Sequence, residues 1–362
     1  MTEIIETVDR QSLARFEEVV DVRSPAEFDE DHIPGAINLP VLSNAERAEV
    51  GTIYVQESRL RARRIGAAYV ARNIAAHLQG ALADRTGAYA PLIYCWRGGQ
   101  RSNAMATVLS QVGWRVSVIA GGYKTYRRHV TARLYDGTFA PGVVLLDGNT
   151  GSAKTEILGR LARQGAQTLD LEGLAEHRGS LFGALAGHAQ PSQKMFESRL
   201  LTAMDALDPA RAVLIEAESS KIGQRMIPPA LWQAMVRAPR IEISAPAAER
   251  ASYLVRAYRD IIDDPPSLEA TLTRLPGRHG RKRLEAWIAL ARTRDYEALA
   301  LDLIEAHYDP AYRRSRRTED RPLLGVIAAP SLSDAGQEAI ADQVRRLMAS
   351  AVGPIGAESG LV

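Results

Sequence analysis

The sequence has one cysteine, Cys95, in 362 residues. A lone thiol excludes an internal disulfide and any cysteine-rich metal cluster. Long apolar runs are also missing, and stretches such as GVVLLDG near residue 142 stop far short of the roughly 18 to 20 residues that a membrane span needs. The first residues, MTEIIETVDR, are acidic rather than signal-like. These absences predict a soluble, cytoplasmic protein without a membrane partner. Neither sign of charge is in excess, because 45 basic and 43 acidic residues leave a formal charge of +2, and that total alone says nothing about a nucleic-acid partner. What is present is apolar material, 46% of the chain beside 24% charged residues, enough for two cores and too much for a disordered or coiled-coil protein.

The first 130 residues alternate short apolar runs with helical patterns. VVDVR at 19–23, PLIYC at 91–95 and RVSVIAGG at 115–122 read as strands, and 58–80 and SNAMATVLSQVG at 102–113 as helices. Such alternation predicts a parallel α/β sheet. A turn-rich stretch, YDGTFAPG at 135–142, separates it from a second α/β series with strands at GVVLLDG, AQTLDL near 166, AVLIEAE near 212, RIEISA at 240–245 and PLLGVIAA at 322–329. The expected organisation is a domain at 1–134, a linker at 135–141 and a second domain at 142–352. A mostly helical insertion at about 247–318, a last helix near 334–349 and a frayed tail at 353–362 complete it.

LIYCWRGGQRS places Cys95 after a buried-strand pattern and before a helix. A loop in that position turns successive backbone amides inward, which lowers a thiol pKa and holds an anion. Arg97 and Arg101 add positive charge, and Gly98 and Gly99 allow a tight bend. The segment resembles the catalytic loop of the rhodanese family, whose cysteine carries sulfur or selenium. DVRSPAEFDEDHIPGAINLP at 21–40 extends the likeness, which covers about residues 5–130 and implies that Asp21 and Arg23 brace the active-site region. The five residues between Cys95 and Arg101 are also the spacing of cysteine phosphatases, which leaves phosphate-ester hydrolysis open. A phosphatase needs a carboxylic acid nearby to protonate its leaving group, and this stretch has none. Residues 85–135 contain no Asp or Glu but eight basic side chains, which favours a polyanionic substrate.

GNTGSAKT has the frame of a phosphate-binding loop between a strand and a helix, comprising Gly148, Asn149, Thr150, Gly151, Ser152, Ala153, Lys154 and Thr155. Its amides can cradle a diphosphate, Lys154 can neutralise the charge, and Thr155 can ligate Mg²⁺. Ala153 stands where a second glycine is usual; its methyl group is tolerated if the residue keeps a negative φ, and it weakens the case for an ordinary ATPase. Glu216 and Glu218, at the end of a later strand, are the candidate partner carboxylates.

LEGLAEHRGSLFG at 171–183, QPSQKMFESRL at 190–200 and ESSKIG at 218–223 resemble signature blocks of the tRNA 2-selenouridine synthase family. In that family a rhodanese domain is fused to a P-loop domain, and GGYKTYRR at 121–128 matches its inter-domain segment. The resemblance singles out Glu172, His177, Arg178, Ser180 and Gln193 as supporting residues. It implies action on wobble 2-thiouridine in the anticodon arm of lysine, glutamate and glutamine tRNAs. The sulfur is first geranylated from geranyl diphosphate, at the 148–155 loop. Selenium from selenophosphate then replaces the geranylthio group, with the Cys95 thiolate attacking selenium. It also implies no tightly bound cofactor, and the selenophosphate-producing enzyme is a candidate partner.

An RNA path is expected along Trp96, Tyr123, Lys124, Tyr126, Arg127 and Arg128, the aromatic rings stacking on an extruded base. Further basic clusters are Arg59, Arg61, Arg63 and Arg64; Arg278, Arg281, Lys282 and Arg283; and Arg313, Arg314, Arg316 and Arg317. Two other readings stay open on the residues alone. One is a sulfurtransferase or phosphatase fused to an ATP-using domain, and the other is a phosphate-binding module without catalysis.

Overall fold

The computed structural model describes residues 2–180, 182–183, 189–275, 279–316 and 321–351. The chain forms two units, Met1–Gly137 with Pro191–Asp205 and Thr138–Gln190 with Ala206–Val362. Both are α/β, each around its own parallel sheet.

The first sheet contains β1 (Glu3–Ile5), β2 (Glu18–Asp21), β3 (Ile37–Asn38), β4 (Pro91–Tyr94) and β5 (Ser117–Ile119), all parallel, in the order β1-β5-β4-β2-β3. Every residue of β4 is buried, as expected of a central strand covered on both faces. Its core packs Val20, Ile93, Met105, Leu109, Trp114 and Val118 together. The helix Gln100–Val112 supplies Met105 and Leu109 and stops at Gly113, whose φ of 105° is the left-handed ending that glycine permits. Arg59–Gln79 is capped by Ser58 and buries Ala62, Gly66, Val70 and Ile74, a stripe at four-residue spacing. Its arginines Arg59, Arg61, Arg63 and Arg64 are exposed.

The chain passes from one unit to the other at Gly137–Thr138, inside the linker expected at 135–141, but the helix Gln193–Met204 shows that the second domain expected at 142–352 does not keep all of that stretch. In sequence the helix lies inside the second α/β series, yet it belongs to the first unit. Seven of its side chains are buried, including Phe196, Leu200 and the carboxylate of Glu197.

The second sheet contains β6 (Val143–Gly148), β7 (Thr168–Leu169), β8 (Val213–Glu216), β11 (Arg240–Ser244) and β12 (Leu323–Ala328), parallel, in the order β12-β11-β6-β8-β7. A small antiparallel hairpin, β9 (Lys221–Ile222) and β10 (Arg225–Met226), follows β8. Leu158 and Leu161 from Lys154–Arg163, and Ile340 and Val344 from the last helix, Asp334–Ala351, pack in one core with Leu146, Ile241 and Ile243. Between β11 and β12 lies the helical insertion, from Ala247–Ala257 through Asp309–Arg316. It has a core of its own, in which Trp287 is fully buried among Leu268, Leu272, Leu299 and Leu303. Among the described residues no helix is long and apolar enough to cross a membrane. The expected tail at 353–362 lies outside the described residues, as do Arg278 and Arg317.

Candidate active sites

Cys95 follows central strand β4 and is 3% exposed. The Gly99 amide donates to its sulfur at 3.3 Å, and the Ser102 hydroxyl lies 3.2 Å from it. Burial alone would raise the thiol pKa, but these hydrogen bonds and the nearby Arg101 charge outweigh it, and the pKa falls below the ordinary cysteine value. The helix that follows has no side-chain cap, and the backbone amides of Gly99 and Ser102 at its start turn to the Cys95 thiol.

The loop is held from behind by GGYKTYRR. The Tyr123 amide donates to the Cys95 carbonyl at 2.8 Å and that of Lys124 to the Trp96 carbonyl at 3.2 Å. A Cβ on Gly122 would lie 2.1 Å from the Cys95 carbonyl oxygen, and one on Gly98 2.7 Å from the Gly121 nitrogen, so both glycines are required by close approach. Asp21 and Arg23 form a buried fork, with Arg23 Nη2 2.6 Å from Asp21 Oδ2 and also 2.6 Å from the Asp31 carbonyl oxygen. The Arg23 guanidinium lies 4.1 Å from the Tyr123 ring centre, so this pair supports the ring whose backbone holds Cys95.

Arg101 does not stand free: it forks onto Glu27 at 2.7 and 3.3 Å, so a carboxylate does reach the loop, from 74 residues upstream. Burial would raise the Glu27 pKa, but Arg101, the Ser24 amide and Arg47 hold it below the usual carboxylate range, leaving an ionised group unsuited to general acid duty at neutral pH. The acid-free stretch is likewise neutralised by acids from elsewhere. Arg85 pairs with Glu18, Arg127 with Glu197 and Asp31, and Arg133 with Asp205, while Arg97, Arg115, Lys124 and Arg128 remain exposed. Tyr123 and Tyr126, each 3% exposed, are core residues rather than stacking platforms, and Tyr123 donates to Asp31 at 2.6 Å. Trp96 is half-buried and stacks on Tyr123, with ring centres 5.2 Å apart.

In the second unit the loop Gly148–Thr155 follows β6, which lies between β11 and β8. Lys154 Nζ donates to the Gly148 carbonyl at 2.9 Å. Ala153 does not keep a negative φ: it adopts φ 60°, ψ 27°, the left-handed region that an alanine enters only at a cost. Two residues that no motif singled out hold the loop. Arg250 is 4% exposed, forks onto Asp309 at 2.9 and 2.8 Å and donates to the Thr150 carbonyl at 3.2 Å. Asp309 also accepts from the Asn149 side chain at 3.0 Å.

The loop lines a cleft of about 730 Å³. On its floor the carboxylates of Glu172, Glu216 and Glu218 converge, with one oxygen of each within 4.8 Å of the others, and the Thr155 hydroxyl donates to Glu172 at 3.2 Å. Burial raises all three pKa values, joined at Glu172 and Glu216 by repulsion from neighbouring carboxylates, against the opposing charge of Lys154. Burial would lower the pKa of Lys154, but Tyr312 and the three glutamates outweigh it, so the ammonium stays charged. The donor set is hard oxygen throughout and fits Mg²⁺.

Arg178 and Ser180 also line the cleft. Arg178 forks onto Asp260 at 3.1 and 3.0 Å, and Ser180 lies 3.1 Å from the Tyr258 hydroxyl. His177 Nδ1 accepts from the Gly179 amide at 3.1 Å, and burial and Arg178 keep its pKa low. Gln193 does not join them: it lies in the first unit, where it donates to Glu197 at 2.9 Å. A second, apolar chamber of about 80 Å³ is lined by Phe182, Ile261, Leu268, Leu299 and Leu303. It shares Thr150, Leu254, Tyr258 and Tyr308 with the cleft.

Of the expected RNA contacts in the insertion, Arg281 pairs with Glu285 and Arg283 with Asp302, while Arg313 and Arg314 are exposed.

A thiol in an anion-binding loop on one parallel sheet and a phosphate loop on another define a rhodanese-like domain joined to a P-loop-type domain. Comparison with known proteins agrees on both parts. The family model "Rhodanese-like domain" matches residues 2–129, and "tRNA 2-selenouridine synthase AAA domain" matches residues 141–329. Proteins named tRNA 2-selenouridine synthase are similar along much of the chain. The one from Chromohalobacter salexigens is 35% identical over 82% of this chain and 87% of its own, and the one from Salmonella arizonae 33% over 82% and 88%. The Aeromonas salmonicida protein is 36% identical over 66% of this chain, a match that spans 64% of that protein. The chain belongs to the tRNA 2-selenouridine synthase family.

Proposed function

We propose that the protein converts wobble 2-thiouridine of tRNA to 2-selenouridine in two steps, S-geranylation at the Lys154 loop and selenation at the Cys95 loop. The observation that carries the first step is the apolar chamber beside the phosphate cleft, with four lining residues common to both. A ligand that places a diphosphate in the loop and hydrocarbon along Leu254 and Tyr258 is amphiphilic, which suits geranyl diphosphate better than a nucleotide. In this step the C1–O bond of geranyl diphosphate breaks, sulfur bonds to C1, and the proton on N3 of the base is lost to solvent. Loop amides and Lys154 stabilise the departing diphosphate.

The second step suits the Cys95 loop, where a thiol of lowered pKa, backbone amides turned to its sulfur and exposed Arg97 sit together. Selenium bonds to C2, the C2–S bond breaks, geranylthiol leaves, and water carries phosphorus away as orthophosphate. In this route the Cys95 sulfur and its loop hold selenophosphate against C2 and form no bond to selenium; direct attack of Cys95 on selenium would instead form a perselenide and expel phosphite, so the phosphorus product tells the two roles apart.

The substrates would be the lysine, glutamate and glutamine tRNAs, with the selenophosphate-producing enzyme as a functional partner. Exposed Arg97, Lys124, Arg128, Arg313 and Arg314 and the arginines of Arg59–Gln79 support binding of the anticodon arm. The test is mass spectrometry of nucleosides from a thiolated anticodon stem-loop incubated with geranyl diphosphate, with selenophosphate, or with both. The expected products are the geranylated base with the first alone and 2-selenouridine only with both. ATP turnover without a geranylated base would favour the ATP-using alternative.

A further inference from the structure

The three glutamates on the floor of the cleft come from three places in the fold. Glu172 is on the short helix Leu171–Ala175 after β7, Glu216 ends β8, and Glu218 lies two residues further on. Nothing about local folding requires three carboxylates to converge within 4.8 Å, where like charges repel one another. Thr155 answers one oxygen of Glu172. Glu216 is 2% exposed, and its Oε1 is buried without a hydrogen-bond partner. A buried acceptor left in that state signals a missing ligand.

The sign and size of the missing charge follow from the neighbours. Three carboxyl groups face the one ammonium of Lys154, itself turned to the Gly148 carbonyl, so once ionised they outnumber it, and a cation that displaces their protons would restore the balance. An all-oxygen site with that imbalance selects a hard divalent cation. We propose that Glu172, Glu216 and Glu218 together bind one divalent cation of the Mg²⁺ or Mn²⁺ type beside the Thr155 hydroxyl, before any phosphate ligand arrives. An ordinary P-loop site holds its ion with the loop hydroxyl and one carboxylate and relies on the nucleotide for the rest. Here the protein supplies three carboxylates, so the ion site is complete enough to fill on its own. The inference does not depend on which diphosphate the loop takes.

The test uses the full chain without tRNA or any phosphate compound, titrated with Mn²⁺ and followed by electron paramagnetic resonance. One Mn²⁺ per chain, displaced by excess Mg²⁺, is the expected result. Glu216→Gln and Glu218→Gln should each weaken that site by at least about tenfold. Both remove a buried acid from a crowded cluster, so circular dichroism and thermal midpoints of the metal-free variants should match or exceed the parent. The proposal is overturned if the parent chain binds no Mn²⁺ below millimolar concentration, or if both folded variants bind it as tightly as the parent. Loss of geranyl transfer alone would leave it standing, because the readout is the metal itself.

Discussion

Arg101 forks onto Glu27 at 2.7 and 3.3 Å, and so the arginine whose charge lowers the Cys95 pKa is already shared with a carboxylate. The Glu27 pKa is depressed, so the pair is intact above the usual carboxylate range and is lost only as pH falls through the lowered value. At neutral pH Glu27 therefore offsets part of the field that Arg101 places on Cys95. Glu27→Gln should lower the thiol pKa further and shift the alkylation rate profile of Cys95 with iodoacetamide to lower pH. An unchanged or upward-shifted profile would show that Glu27 does not temper the loop.

The two loops should separate by mutation. Cys95→Ser is expected to abolish 2-selenouridine while leaving geranylated tRNA to accumulate. Lys154→Ala should cut geranyl transfer by about a hundredfold or more, the scale on which removing one charge-stabilising donor acts. Mass spectrometry of the nucleosides reads both, and 2-selenouridine from the serine variant would refute the assignment of Cys95.

Ala153 in the left-handed region stores backbone strain at the mouth of the phosphate loop. Ala153→Gly should relieve it and stabilise the fold by about 1 kcal/mol, equivalent to a thermal midpoint roughly 2 °C higher in a domain of this size. Differential scanning calorimetry checks this, and a lower midpoint would mean that the unfolded-state entropy of glycine outweighs the strain.

The apolar chamber makes chain length a testable property. Ala300 lines it, and Ala300→Leu should fill much of a space of about 80 Å³. Transfer from geranyl diphosphate should then fall at least about tenfold, while a five-carbon prenyl diphosphate, whose shorter tail ends before the chamber, is spared. Equal loss with both donors would point to general damage to the cleft.

Elements buried on both faces were the legible ones. β4 and β6 appear in the sequence as continuous apolar runs because a central parallel strand has no solvent face, and both candidate loops follow from where those runs end. β1 and β3, three and two residues long, leave too short a pattern to read. Partnerships across the chain left no local trace. Glu27 meets Arg101 over 74 residues and Arg250 meets Asp309 over 59, so the acid at the thiol and the clamp on the phosphate loop emerge only when the chain is folded. Tyr123 and Tyr126 look like stacking residues in a basic segment, yet the helix Tyr123–Thr131 turns both rings into the core. The left-handed φ of Ala153 had no signal either, because alanine is the residue least expected to adopt it.

The helix Gln193–Met204 gives the chain an order of assembly that its linear layout hides. On a ribosome the first sheet has all five strands once Ile119 has emerged, but the helix that completes its unit is translated only after β6, the phosphate loop and β7. Until then the nascent first unit lacks the partners that Phe196 and Leu200 provide, and a fragment ending at Gly137 would remain in that unfinished state. Neither unit is therefore encoded by a single contiguous stretch of the gene.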